Sequence, residues 1–403
     1  MSGFKAPPQD DFHAYAGLTA KQSDHLSKLS RWSSTQCAHI DGLDGLLLLL
    51  REVVPETSHF FSGKLDQCGR GMGVIEDKIH RTSADYAKAD HQAMADLHAI
   101  YPGALSHFPD IGAVPGSSRA GNFTDEDVTL KEPAGADADT EKNIHHQLLL
   151  LGRNSELRGA DKVFMFCTGQ SLVELLVKPI VGNYGRLRYL HDAYDALGDG
   201  TYTVAGTLRK GSWALGSEWQ GDTATAFDSY LFRWTMGIGR VGDAAKMTAK
   251  AYQVGYDAIV VLVQSALREI NNLINNEIKQ LAEQAGEMLA GDAAIEAAGL
   301  GPEDPLADIG AGIYSAYKLY KIYKIVRRIV TVVTVIEKIY EGIAKAVQTI
   351  ASEAEKVTAA LESPMPSVGS LIDDVEQRGF TFEKGGGWSP TLGAARIGML
   401  PSA

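Results

Sequence analysis

Residues 237–242 read Gly-Ile-Gly-Arg-Val-Gly, which spells a G-x-G-x-x-G run. Such a run cradles a pyrophosphate when a strand leads into it and a helix opens on it, because its glycines let backbone N–H groups approach the phosphates. Here Ile238 and Val241 belong to an apolar helical stripe that starts before the run and continues past it. The glycines lie off that stripe, so they read as a close helix contact or a kink, and a dinucleotide site is excluded. Asp195 to Gly200 is no calcium loop, because Leu197 and Gly206 stand where the third and twelfth ligands belong. His145 and His146 are adjacent, so a helix would turn them about 100° apart. His80, His91 and His98 fall on a polar helix face, and there is no H-E-x-x-H. No serine sits in a G-x-S-x-G elbow, and no carboxylate pair stands out from an ordinary helical surface. The expectation is a non-enzymatic chain with no catalytic residues, no metal site and no cofactor.

The chain has 403 residues and a formal net charge of −12. The length allows two or three domains, and 45% hydrophobic residues allow a real core. An acidic balance argues against a nucleic-acid backbone as the main partner. The three cysteines, Cys37, Cys68 and Cys167, are widely separated and form no C-x-x-C, which disfavours structural zinc and a disulfide framework. In an exported chain a Cys37–Cys68 bridge across one hairpin is the minority alternative to small buried residues. Met1 to Asp11 lacks a basic segment followed by an apolar core, so no secretory signal peptide is expected. Leu46–Leu50 is too short to span a bilayer, and no other stretch qualifies. The chain therefore stays in the cytoplasm or leaves by a route that does not read such a signal.

The element that organises the rest begins at Trp219-Gln220-Gly221. From Phe227 an apolar residue recurs through Leu231, Trp234, Ile238, Val241, Ala245, Ala249, Tyr252, Tyr256, Ile259, Val263, Leu267, Ile270, Ile274, Ile278 and Leu281. The mean step is about 3.6 residues, the α-helical repeat. Gly221 ends the preceding segment cheaply, and Asp222 is expected to cap the new helix. Leu187, Leu190, Leu197, Val204, Leu208 and Leu215 supply a first helix, so Trp-x-Gly reads as the turn of an α-hairpin. Helix, Trp-x-Gly turn and second helix over roughly residues 184–265 resemble the WXG family of type VII (ESX-type) secretion substrates. A second feature resembles the EspC-like branch of that family. Tyr86-Ala87-Lys88-Ala89-Asp90 places Tyr86 and Asp90 one helical turn apart, as the Tyr-x-x-x-Asp export signal requires. The second hairpin departs from that pattern, since Tyr252 is followed at i+4 by Tyr256.

The remaining segments fall into place around these. Residues 1–16 read as a loose leader. Residues 17–100 form a first α-hairpin, with one helix from Leu18 to Val54, Pro55 either stopping that helix or beginning the next, and a second helix from Thr57 to Ile100 that Gly69, Gly71 and Gly73 weaken. Residues 101–142 are a connector rich in Pro, Gly and Asp. Residues 143–298 form a second helical region carrying the WXG-like hairpin, with patterning at Ile144–Leu151 and Asp161–Val177. Gly299 to Pro302 break the chain, and residues 299–362 hold a long amphipathic helix that ends before Pro364. Its stripe runs through Ile313, Tyr317, Tyr320, Tyr323, Val326, Val330, Val333, Ile336, Tyr340, Ile343, Val347, Ile350, Ala354, Val357 and Leu361. The step is about 3.4, which predicts lengthwise packing on another long helix. Lys318, Lys321, Lys324, Arg327 and Arg328 alternate with its tyrosines. Two accounts fit them: lysines snorkelling beside a core stripe, or a helix lying on an anionic membrane. Residues 363–403 are a tail rich in glycine and turn residues.

These readings converge on an all-α fold, an elongated bundle of two α-hairpins plus a long C-terminal helix. The resemblance implies a secreted or cell-surface effector exported through a composite signal of Trp219, Gly221, Tyr86 and Asp90. The implied partners are the type VII export ATPase or a cognate WXG chaperone, with Trp219 entering a partner's groove. The alternatives are the targeting and stalk part of a toxin system, or a membrane-active helical protein.

Overall fold

The computed structural model describes residues 7–86, 123–134, 139–284, 286 and 305–362. Its regular elements are helices: α1 (Gln9–Gln36), α2 (Leu50–Tyr86), α3 (Asp139–Arg153), α4 (Ser155–Thr168), α5 (Leu172–Leu176), α6 (Gly185–Glu218), α7 (Asp222–Leu273) and α8 (Pro305–Glu362). Single 3₁₀ turns stand at Gly45–Leu47 and Lys178–Ile180, and a π turn, Ile274–Ile278, extends α7. The fold is all-α and bundle-like.

Helix α1 starts in what the sequence reads as a loose leader. Asp10 and Asp11 in its first turn favour the positive end of the helix dipole, and Phe12, Tyr15, Leu26, Leu29 and Trp32 face the core. It ends at Gln36 and does not run to Val54, although Leu43, Leu47 and Leu50 keep a helical spacing and are all buried. Gly42 and Gly45 adopt positive φ, which stops a right-handed helix. A Cβ on Gly45 would lie 2.3 Å from the Pro179 carbonyl oxygen, so the loop closes on residues 179–183 only because these positions are glycine. Pro55 lies inside α2 near its start, so of its two possible roles it belongs to the opening of the second helix and not to the end of the first. Likewise, the pattern over Asp161–Val177 is divided at Gly169, which takes a left-handed conformation at the end of α4.

Consecutive long helices run antiparallel. Between α1 and α2, Ser33 Oγ donates to the Ser58 carbonyl and Ser58 Oγ to the Ser33 carbonyl at 2.9 and 2.7 Å, while Ser23 Oγ donates to the Gly69 carbonyl further along. Between α6 and α7, Arg209 pairs with Asp228 at 2.8 Å and Lys246 with Asp195 at 2.7 Å. The two pairs then meet. Tyr15 of α1 donates to the Leu208 carbonyl of α6, and Trp32 Nε1 donates to the Ala193 carbonyl. Gly71 of α2 abuts the Trp234 indole of α7. Helices α1, α2, α6 and α7 thus share one core, and every member of the apolar stripe from Phe227 to Leu281 is buried. The glycine-rich run lies inside α7, where a Cβ on Gly242 would meet the Tyr202 ring at 2.6 Å. It is a helix contact, as its position off the stripe predicts. Asp195 to Gly200 is likewise helical, within α6.

Helix α8 packs lengthwise on α7. A Cβ on Gly255 would meet Ile350, and Arg328 reaches Glu277 at 3.4 Å. Its stripe from Val333 to Leu361 is buried as expected, but Tyr317, Tyr320, Tyr323 and Val330 are exposed. Three residues turn a helix about 300°, so a spacing of three carries these tyrosines progressively off the buried face. Val326 of the expected stripe is buried, and Ile322, Ile325 and Ile329 fill the face around it.

Cys37 and Cys68 are free and buried, and Cys167 is free and exposed. The Cys37–Cys68 bridge is excluded by the antiparallel register: Ser58 is level with Ser33 and Gly69 with Ser23, so the two thiols lie turns apart.

Candidate functional site

Helix α6 ends on Trp219, whose backbone is extended (φ −117°, ψ 123°) and whose N–H donates to the Gly216 carbonyl at 3.3 Å. Two residues on, Gly221 takes φ 118° and ψ 178°, a region open to glycine and strained for any other residue. Its carbonyl accepts from Thr225 N–H at 3.1 Å and opens α7. The N-cap position is therefore Gly221, and Asp222, the expected cap, is the first helical residue. The turn itself falls where the sequence puts it.

Trp219 is only 3% exposed. Its ring centroid lies 5.0 Å from that of Phe12 on α1, edge-on, and 5.0 Å from that of Phe227 on α7. Phe227 in turn meets Tyr15 at 5.9 Å. The sequence reading has Trp219 entering a partner's groove. In the structure the groove is supplied by the chain's own α1, because Phe12 reaches across to close it. What the turn presents to solvent is Gly216, Ser217, Gln220 and Gly221.

The same end of the bundle receives the end of α2. His13, next to Phe12, has its ring 5.4 Å from that of His80. Tyr86, the last residue of α2, lies six residues beyond His80, about 9 Å further along the helix axis. Antiparallel register thus brings the Trp219–Gly221 turn, the start of α1 and the Tyr86 end of α2 to one end of the four-helix core. Asp90, His91 and His98 lie outside the described residues.

Just below this end runs a segment that sequence patterning reads only as irregular connector. Residues 123–134 are extended and lie across α1 and α6. Phe123 meets Tyr15 with ring centroids 6.2 Å apart, and Val128 is buried against Leu29 where Gly200 leaves room. Asp125 and Glu126 are clamped, the first from α1 and the second from α6. Asp125 accepts from Gln22 Nε2 at 2.6 Å and lies 3.2 Å from His25 Nε2; Glu126 pairs with Lys210; and Lys28 Nζ donates to the Val128 carbonyl at 2.8 Å. Alternation along an extended chain turns Asp125 and Asp127 to one side and Glu126 to the other. The signal for this strap was charge complementarity between its acids and His25 and Lys210, which periodicity does not detect.

Beneath the turn, the Arg209 guanidinium is fully buried between Trp213 and Phe232, at 5.1 and 5.2 Å, and paired with Asp228. Burial pushes the neighbouring Tyr15 hydroxyl far above its ordinary range, and the Arg209 charge pulls it part of the way back. On α8, Lys318 is buried, Lys321 lies over the Tyr317 ring at 4.8 Å and Lys324 over Tyr320 at 5.0 Å. Arg327 and Arg328 are exposed, and Arg328 is engaged with Glu277.

No family model, no curated protein and no solved structure matches the chain.

Proposed function

We propose that the chain is a non-enzymatic substrate, and hence an effector, of a type VII (ESX-type) secretion system. In this reading its export label is composite: the Trp219–Gly221 turn of one helical pair and Tyr86 with Asp90 from the other. The first pair, α1 and α2, takes the place of the second subunit of a WXG dimer, so that one chain makes a covalent equivalent of that pair. Trp219 then organises the label from inside, while Gln220, Gly221 and the Tyr86 turn are what the export ATPase or a cognate chaperone reads. The protein ends outside the cell or at its surface.

One observation carries this reading: the Trp-x-Gly turn and the Tyr86 end of α2 lie at the same end of the bundle, joined through Phe12 and the His13–His80 contact. The test is secretion of the full chain from a host carrying the export machinery, with culture supernatant and cytosol assayed for parent, Tyr86→Ala and Asp90→Ala. Both variants should accumulate inside as folded protein while the parent appears outside. Equal export of all three overturns the reading.

A further inference from the structure

We propose that the solvent face of α8 over residues 317–336 is a docking surface for an anionic lipid bilayer. This stretch holds Lys318, Lys321, Lys324, Arg327 and Arg328 and no aspartate or glutamate, in a chain whose formal net charge is −12. A concentration of one sign against the overall charge marks a surface that attracts the opposite charge locally. Two members are already committed, since Lys318 is buried and Arg328 pairs with Glu277. Lys321, Lys324 and Arg327 provide the outward charge.

The aromatic residues decide which anionic partner fits. Tyr317, Tyr320 and Tyr323 are 56%, 55% and 60% exposed, and Leu319 and Val330 are exposed beside them. Leaving this much apolar surface in water has a cost, which an occupant would remove. A tyrosine ring with its hydroxyl at the tip suits the headgroup region, where one side is apolar and the other wet. Basic residues interleaved with such rings on one helix face are the pattern of interfacial helices. The face is the convex side of a single helix, which matches a flat bilayer. Binding is peripheral, for two reasons. Ile322, Ile325, Ile329 and Val333 hold the opposite face of α8 to the bundle. Among the described residues, no single helix is long and apolar enough to cross a membrane. The inference is independent of secretion: it concerns a different helix and holds whether or not the chain is exported.

The experiment is co-sedimentation of the full chain with vesicles of phosphatidylcholine alone or mixed with phosphatidylglycerol. The parent should bind only the mixed vesicles, and high salt should release it. Lys324→Glu/Arg327→Glu should weaken binding about tenfold or more. Tyr320→Ser/Tyr323→Ser should weaken it at unchanged net charge, which separates insertion of rings from bulk attraction. All four substitutions lie at exposed positions, so circular dichroism should show the helical content of the parent. The proposal fails if the parent binds neither vesicle, binds both equally, or binds undiminished in both variants. It also fails if the face instead drives self-association that the tyrosine variant abolishes without any vesicle binding, which would assign it to a second copy of the chain.

Discussion

At the scale of single residues, Trp219 and the buried tyrosines carry the account. Trp219 is held between Phe12 and Phe227, so Trp219→Ala should cost about 3–5 kcal/mol by leaving a cavity at the junction of α1, α6 and α7. Trp219→Phe should cost much less. Denaturant titrations of the two variants check this, and equal small losses would mean that the indole is not part of the core. The consequence for export experiments is that Trp219→Ala confounds folding with recognition, whereas Tyr86→Ala, at the last residue of α2, leaves Trp219 in place. Tyr15, Tyr194 and Tyr252 are fully buried, and burial raises each hydroxyl well above the ordinary 10.0. Below that value the folded and unfolded chains bind the same tyrosyl protons, so these groups leave stability flat. Above it the unfolded chain loses them first, and stability falls as pH climbs toward the folded-state values. Unfolding midpoints should therefore drop steadily above pH about 10. Tyrosine absorbance that titrates freely near pH 10 with the fold intact would contradict the burial. Cys68, whose thiol burial pushes up to about 12, belongs to the same buried set.

At the scale of elements, periodicity located the helices whose one face is buried along its whole length. Helix α7 is the clearest case, and α8 from Val333 onward is another. It failed where the physical signal was of another kind. The apolar spacing Leu43, Leu47, Leu50 persists through a loop because all three side chains still reach the core; the break is written in the positive-φ glycines, Gly42 and Gly45. The tyrosines of α8 resemble a core stripe by composition, yet their spacing of three drifts around the helix. The Trp-x-Gly turn was legible because a glycine in an otherwise forbidden conformation ends one helix and starts the next. The burial of Trp219 was not, because it depends on Phe12, more than two hundred residues away in sequence. One contact tests how the helical pairs meet. A Cβ at position 71 would lie 2.3 Å from the Trp234 indole, so Gly71→Ala should destabilise by about 1–3 kcal/mol, despite the higher helix propensity of alanine. Gly63→Ala on the same helix, where a Cβ meets nothing, should be neutral or mildly stabilising. If thermal melts rank the two the other way, α2 does not seat on α7 as described.

At the scale of the whole molecule, the four long helices α1, α2, α6 and α7 act as one unit, clamped by the strap at 123–134 and flanked by α8. The functional reading depends on that unit being assembled within a single chain, with both halves of the label at one end. The most direct measurement is a pair of spin-label distances in a Cys167→Ser background, one between positions 86 and 220 and one between positions 34 and 220, the exposed Gln220 being labelled so that Gly221 keeps its conformation. Position 34 lies near the far end of α1, a helix of 28 residues and thus about 40 Å long. The account predicts a single short 86–220 distance, far below the 34–220 distance and unchanged on dilution with unlabelled protein. An 86–220 distance as long as the 34–220 distance, or one that vanishes on such dilution, would contradict it.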